Sequence, residues 1–259
     1  MNKAVVLLIV LVVLGSTGSQ ASPLIGGRII GGSDAVAGQF PYAVSLRTLL
    51  NNHFCGGCIL NERWVLTSGH CMMGRDEDAI NIVAGTISRT SGGFVFRSSR
   101  IFSHPNFNFN LMTNDVALIL VTTPFFWTDN IQPISLGDSM IQGGVTATLM
   151  GWGWTTNPGS SADVLQWLPT STTTQDDCRS RHTLAQRAFI HDNTICSSNS
   201  FGQGICMGDT GGPVVVGNTV IAVKSWSVQC GLVPDVHARV SSHREWIVSL
   251  SEAPIHQLP

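Results

Sequence analysis

The chain is poor in charge and nearly without tyrosine. Only 12% of its 259 residues are Asp, Glu, Lys or Arg, and one tyrosine is present. Sixteen acidic side chains outnumber 14 basic ones, for a formal net charge of -2. Without a basic surplus there is little to neutralise a row of phosphates or coat an anionic bilayer, so no nucleic-acid or membrane partner is expected. Asn-x-Ser/Thr triplets are absent, and with them the signal for N-glycosylation. A membrane span needs ~20 apolar residues, and the longest unbroken apolar run, Ala4 to Leu14, is about half that length. The acidic cluster Asp76, Glu77 and Asp78 lacks the alternating ligands of a calcium loop and reads as a solvated turn. No metal and no other cofactor is expected.

The chain is 43% hydrophobic, with 27 glycines and 11 prolines. The first value excludes disorder, and the second and third disfavour a helical bundle. Lys3, the apolar run behind it and the small residues ending in Ser19-Gln20-Ala21 form a secretory signal peptide over residues 1–21. A secreted, extracellular chain can form disulfides, so the seven cysteines imply a bonded framework with one thiol left over. Short apolar, β-branched runs recur between Gly, Asn, Ser and Pro clusters: Ala43 to Leu46, Trp64 to Thr67, Ile80 to Ala84, Phe94 to Phe96, Val116 to Val121, Val145 to Met150, Val214 to Val216 and Val220 to Val223. They predict an all-β fold of antiparallel sandwiches or barrels. Helix is expected at the C-terminus alone, where Ser242 and Glu245 have capping-box spacing and Trp246, Ile247 and Leu250 share a face. No repeat, linker or charge block marks a domain boundary.

Three segments carry chemistry: Thr67-Ser68-Gly69-His70-Cys71, Asn114-Asp115-Val116-Ala117-Leu118 and Gly208-Asp209-Thr210-Gly211-Gly212-Pro213. Singly each has a plain reading, as a structural histidine, a turn aspartate and a tight loop. Together and in this order they resemble the chymotrypsin/trypsin-like serine protease family, over Arg28 to about Leu250. Phe54-Cys55-Gly56-Gly57 and Gly151-Trp152-Gly153 add to the likeness. The resemblance implies two packed six-stranded antiparallel Greek-key β-barrels with a C-terminal α-helix, filling residues 29–259. It makes His70 the general base, Asp115 its orienter, and the amides of Gly208 and Thr210 the oxyanion hole, with Ser225 supporting the buried Asp115. Arg28-Ile29-Ile30-Gly31-Gly32 resembles the family's activation junction. Cleavage after Arg28 by an activating protease would remove a propeptide over residues 22–28 and pair the Ile29 ammonium with Asp209. By the same resemblance Cys55 pairs with Cys71, Cys178 with Cys196 and Cys206 with Cys230. Cys58 is left as a buried, inert thiol.

The chain also departs from that family's pattern. Thr210 stands at the nucleophile position, where its extra methyl stiffens χ1 and crowds the attack geometry. A displacement of 1 Å there can cost on the order of 100-fold in rate. The pocket residues Gly204, Ser225, Trp226, Ser227 and Asp235 are unusual, with Gly204 at the usual pocket-base carboxylate and Asp235 in place of a wall glycine. Asp235 either receives a basic or mixed side chain, occludes the pocket itself, or is an ordinary loop carboxylate. His237 shares its strand face, which allows an ion pair closing the pocket. The stretch from Thr86 to Phe96, matching the calcium loop of some relatives, holds no carboxylate. The expectation is a monomeric, secreted protease homologue that binds a protein or peptide through its cleft and is inert or weak in catalysis. The alternative is an endopeptidase using Thr210 as a slow nucleophile. A storage or purely structural role is disfavoured by the intact activation junction.

Overall fold

The computed structural model describes residues 29–258. The expected signal peptide and propeptide, Arg28 included, lie outside the described residues. Fourteen strands and four α-helices follow in chain order among the described residues. The first barrel is built from β2 (Ala43–Arg47), β3 (His53–Ile59), β4 (Trp64–Thr67), β5 (Asn81–Ala84), β6 (Phe94–Ser103) and β7 (Ala117–Val121). They close antiparallel in the order β2-β3-β4-β7-β6-β5. Its interior is filled by Val44, Leu46, Ile59, Val65, Ile82, Phe96, Ile119 and Val121. These are mostly the β-branched and long aliphatic side chains that suit a pleated, buried surface.

The second barrel uses β9 (Thr146–Gly151), β10 (Gln166–Thr173), β11 (Thr194–Ser198), β12 (Pro213–Val216), β13 (Thr219–Trp226) and β14 (Asp235–Arg239). Pairing of β9 with both β10 and β12 closes this ring as well. The short β1 (Ser33–Asp34) pairs with β10, and β8 (Ser135–Leu136) runs parallel to β13. Ile29, Leu149, Ile195, Ile205 and Val214 pack together inside this barrel. A third apolar cluster, including Trp64, Leu118, Met150, Trp152, Val223, Ile247 and Leu250, joins the two barrels and seats the C-terminal helix. The fold is thus two closed six-stranded antiparallel barrels, and the functional loops gather where they meet.

Every predicted run is a strand, but six strands escaped the pattern: the two-residue β1 and β8, and the barrel strands β3, β10, β11 and β14. The 10-residue β6 extends well beyond Phe96. Two corrections concern helices. The C-terminal helix α4 spans Val240–Ser251, with Arg239 at its N-cap and no capping side chain, so Ser242 and Glu245 lie inside it and form no capping box. Its entry is instead tied by the Arg239 guanidinium, which donates to the carbonyls of Thr194 and Ile141. Short helices also occur elsewhere, as α1 (Gly69–Met72), α2 (Gln175–Ser180) and α3 (Leu184–Arg187). The capping box belongs to α3, through Thr183 and Gln186.

Candidate active site

α1 is a single turn leaving β4, and it carries His70 at the mouth between the barrels. The Cys55–Cys71 disulfide ties the next residue back to β3. Asp115 precedes β7, and Asn114 adopts a positive φ of 51° that turns the chain there; asparagine accepts this conformation more readily than most residues. The Asp115 carboxylate is 1% exposed and His70 22%. Asp115 Oδ1 accepts from the His70 backbone N–H at 2.8 Å, and Oδ2 lies 2.8 Å from His70 Nδ1. Ser225 donates to the same Oδ2 at 2.6 Å. These contacts place the proton on His70 Nδ1 and leave Nε2 as the basic nitrogen.

The Gly208–Gly212 loop lies close by, with Gly211 packed against Thr67, Gly56 and the Cys71 sulfur. Gly208 and Gly211 have φ of +94° and +80°, a region glycine enters without strain. At Gly211 a Cβ would also stand 2.6 Å from the Gly56 carbonyl. The Gly56 N–H donates to the Thr210 carbonyl at 2.8 Å, and the Gly211 N–H to the Lys224 carbonyl at 2.9 Å. Among the described residues, the amides of Gly208 and Thr210 donate to no protein acceptor. A pair of unengaged amides on one tight loop can hold a developing oxyanion. No hydrogen bond joins the Thr210 side chain to His70 among the described residues, a contact that often tightens only when substrate binds.

Asp209 explains the Gly151-Trp152-Gly153 motif. Its buried carboxylate accepts from the Gly153 N–H through Oδ1 and from the Cys206 N–H through Oδ2, both at 2.9 Å. A Cβ on Gly153 would stand 2.5 Å from Oδ2, and one on Gly151 would collide with Oδ1. Burial pushes the Asp209 carboxyl up, while Lys224 and the two amides pull it back. Ile29 is fully buried, and Ile30 bridges to Gly204.

Sequence reasoning missed a second chain of polar contacts reaching the same loop. Arg47 Nε donates to Ser45 Oγ at 2.9 Å, Ser45 Oγ lies 2.8 Å from His53 Nδ1, and His53 Nε2 lies 2.9 Å from the Gly208 carbonyl. A carbonyl only accepts, so Nε2 carries the proton. Burial lowers the His53 pKa to about 4, which makes the ring neutral. The Ser45 hydroxyl must then donate to Nδ1. The only hint in the sequence was polar residues inside an otherwise apolar strand.

The pocket residues gather around the Cys206–Cys230 disulfide. Asp235 is 2% exposed, and its Oδ2 accepts from the Ile205 N–H at 2.9 Å. A Cβ on Gly204 would stand 2.5 Å from that oxygen, so the carboxylate fills the space a side chain at 204 would take. Burial raises the Asp235 carboxyl well above its usual range. Ser227 donates to the Ile205 carbonyl at 3.2 Å, and Trp226 stacks edge-on with His182. Among the described residues, the Asp235–His237 ion pair that a shared strand face allows does not form. His237 Nε2 pairs with Ser197 Oγ at 2.8 Å, and the ring faces Lys224 across the strand pair. Burial, helped by that ammonium, lowers its pKa to about 3 and keeps it neutral. The third disulfide joins Cys178 to Cys196. Cys58 is a free, buried thiol whose ionisation burial pushes up. Among the described residues no cluster of His, Cys, Asp or Glu could hold a metal, and no helix is long and apolar enough to cross a membrane.

Comparison with known proteins agrees with this geometry. A family model described as Trypsin matches residues 29–247. Trypsin alpha of Drosophila melanogaster is 34% identical over 259 residues, covering 98% of this chain and 100% of its own. Trypsin 5G1 of Aedes aegypti is 32% identical over 230 residues, covering 87% and 85%. Chymotrypsin-2 of Vespa crabro is 34% identical over 221 residues, covering 85% and 98%. With its two barrels, three disulfides and matched sequence, the chain belongs to the trypsin family.

Proposed function

We propose that this is an exported member of the family, trimmed after Arg28, that holds a polypeptide in its cleft and hydrolyses it at best slowly. The observation that carries the reading is Thr210 on a loop whose other parts are in place. The amides of Gly208 and Thr210 are unengaged and the loop is held from several sides. What differs is the nucleophile's extra methyl, which restricts χ1 beside His70. Three disulfides and the apolar leader support export. The near-complete burial of Asp235 supports a pocket narrowed by its own carboxylate.

The His70–Asp115–Ser225 chain supports a second reading, a slow endopeptidase. In that mechanism His70 Nε2 takes the Thr210 hydroxyl proton as Oγ1 bonds to the peptide carbonyl carbon. The oxyanion rests on the Gly208 and Thr210 amides. Collapse breaks the C–N bond, His70 returns the proton to the departing amine, and an acyl-enzyme remains. Water, deprotonated by His70, then bonds to the acyl carbon; the ester bond to Thr210 Oγ1 breaks, His70 returns the proton to that oxygen, and the acid leaves. Both readings are tested by turnover of a mixed peptide library with protein cleaved after Arg28, beside Thr210→Ser and Thr210→Ala. Activity in Thr210→Ser alone is the expected result. Activity of the natural chain that disappears in Thr210→Ala establishes the peptidase; activity in none of the three overturns the peptidase and the assignment of the defect to the methyl, and loss of peptide binding overturns the first reading.

A further inference from the structure

Lys224 is a buried charge that the relay does not use. It lies on β13 immediately before Ser225 and is fully excluded from solvent. Its backbone clasps the oxyanion loop, accepting from the Gly211 N–H and donating to the Gly212 carbonyl, each at 2.9 Å. Its side chain turns beneath the same loop. A Cβ on Gly212 would stand 2.8 Å from Lys224 Cε and 2.9 Å from Nζ, so this approach requires glycine at 212. Nζ donates to the Met150 carbonyl. It also flanks Gly151, where a Cβ would stand 3.2 Å from Nζ and collide with Asp209 Oδ1.

A buried ammonium is tolerated only where an opposite charge and hydrogen bonds compensate for lost hydration. The carboxyls beneath this loop are Asp209 and Asp235, both buried, and the facing residue on β14 is the neutral His237. Among the described residues Lys224 forms no direct ion pair with Asp209, but its ammonium and that carboxylate flank the same Gly151 and lie near enough to interact, whether or not an amine is freed at Ile29. We propose that Lys224 is a positioning residue whose ammonium gives Asp209 a built-in countercharge, assembling the Gly208–Gly212 loop in the chain before it is cut after Arg28. The uncut chain then presents a formed cleft, and cutting adds little order to it. This deepens the cleft-binding reading and rests on it only for the use made of the cleft; the order of the loop is measurable without ligand or turnover.

The test is amide hydrogen exchange across residues 206–212 in the full mature chain kept uncut by Arg28→Gln, with and without Lys224→Met. Slow exchange in the uncut chain, accelerated at least 10-fold by Lys224→Met while the first barrel is unchanged, is the expected result. Fast exchange in the uncut chain that slows only after natural cleavage would overturn the proposal, as would no effect of Lys224→Met. Should Lys224→Met fail to fold, the double variant Asp209→Asn/Lys224→Met decides. Removing the carboxylate's charge together with the ammonium must restore folded protein, and no improvement over the single variant refutes the pairing. Loss of peptide binding with this exchange pattern intact would instead count against the cleft-binding reading alone.

Discussion

Acid should weaken this protein through His237, and the size of the effect follows from its surroundings. The ring is buried, its Nε2 is engaged by Ser197, and Lys224 faces it on the neighbouring strand. Its pKa falls to about 3 in the folded state, against about 6.5 for an exposed histidine. Between those values the unfolded chain holds a proton that the folded one refuses, so stability is lost as pH falls from 6.5 towards 3. The slope approaches ~1.4 kcal/mol per pH unit, and the whole window is worth on the order of 5 kcal/mol. Asp235 works in the opposite sense. Its carboxyl is raised by burial, so its contribution is present at low pH and lost as pH rises through its folded value. The raw acid profile therefore mixes the two, and the variant His237→Gln isolates the first, since an amide can still bond to Ser197. Urea unfolding at several pH values between 7 and 4 should show the natural chain taking up about one more proton on unfolding than His237→Gln. Parallel profiles would refute a neutral, buried His237.

Other perturbations have definite directions. Gly151→Ala drives a methyl into the Asp209 carboxylate and should lower stability by about 2–3 kcal/mol in denaturant unfolding. Replacing Cys206 and Cys230 by serine opens a link of sequence separation 24 and should cost about 3 kcal/mol on the chain-entropy account, read from the shift in denaturation midpoint. A thiol reagent should find no reactive cysteine in the native protein and one, Cys58, after unfolding without reductant; a stoichiometric native reaction would contradict its burial.

The barrels were legible wherever both faces of a strand are apolar, as in β4 and β7, whose residues are buried throughout. The missed strands break that rule for separate reasons. β3 carries Gly56 and Gly57 because the Gly208–Gly212 loop and β4 approach too closely for side chains. β10 alternates its exposure correctly but does so with Thr, Ser and Gln in place of aliphatics. β14 buries Asp235, His237 and Arg239, which read as surface residues until the structure supplies their partners. The His70, Asp115 and Ser225 positions were legible because they sit in motifs with chain order. Lys224 and the Arg47–Ser45–His53 chain belong to no such motif, since their meaning lies in contacts between distant segments.

Those contacts bear directly on what the Thr210 methyl does. The Gly208–Gly212 loop is fixed from the first barrel by His53 at the Gly208 carbonyl and by Gly56 at the Thr210 carbonyl. From the second barrel it is fixed by Gly153 at Asp209 and by Lys224 at Gly211 and Gly212. A loop held at so many points does not shift to make room for one methyl, because packed surroundings resist continuous deformation. The burden falls on the Thr210 side chain, whose χ1 has few alternatives. Removing the methyl should therefore change the hydroxyl's reach without moving the backbone. In Thr210→Ser, exchange across residues 206–212 should match the natural chain within about threefold while turnover rises by on the order of 100-fold, the scale expected for correcting a 1 Å misplacement. A rise in turnover accompanied by a reordered loop would place the defect in the backbone and refute this assignment.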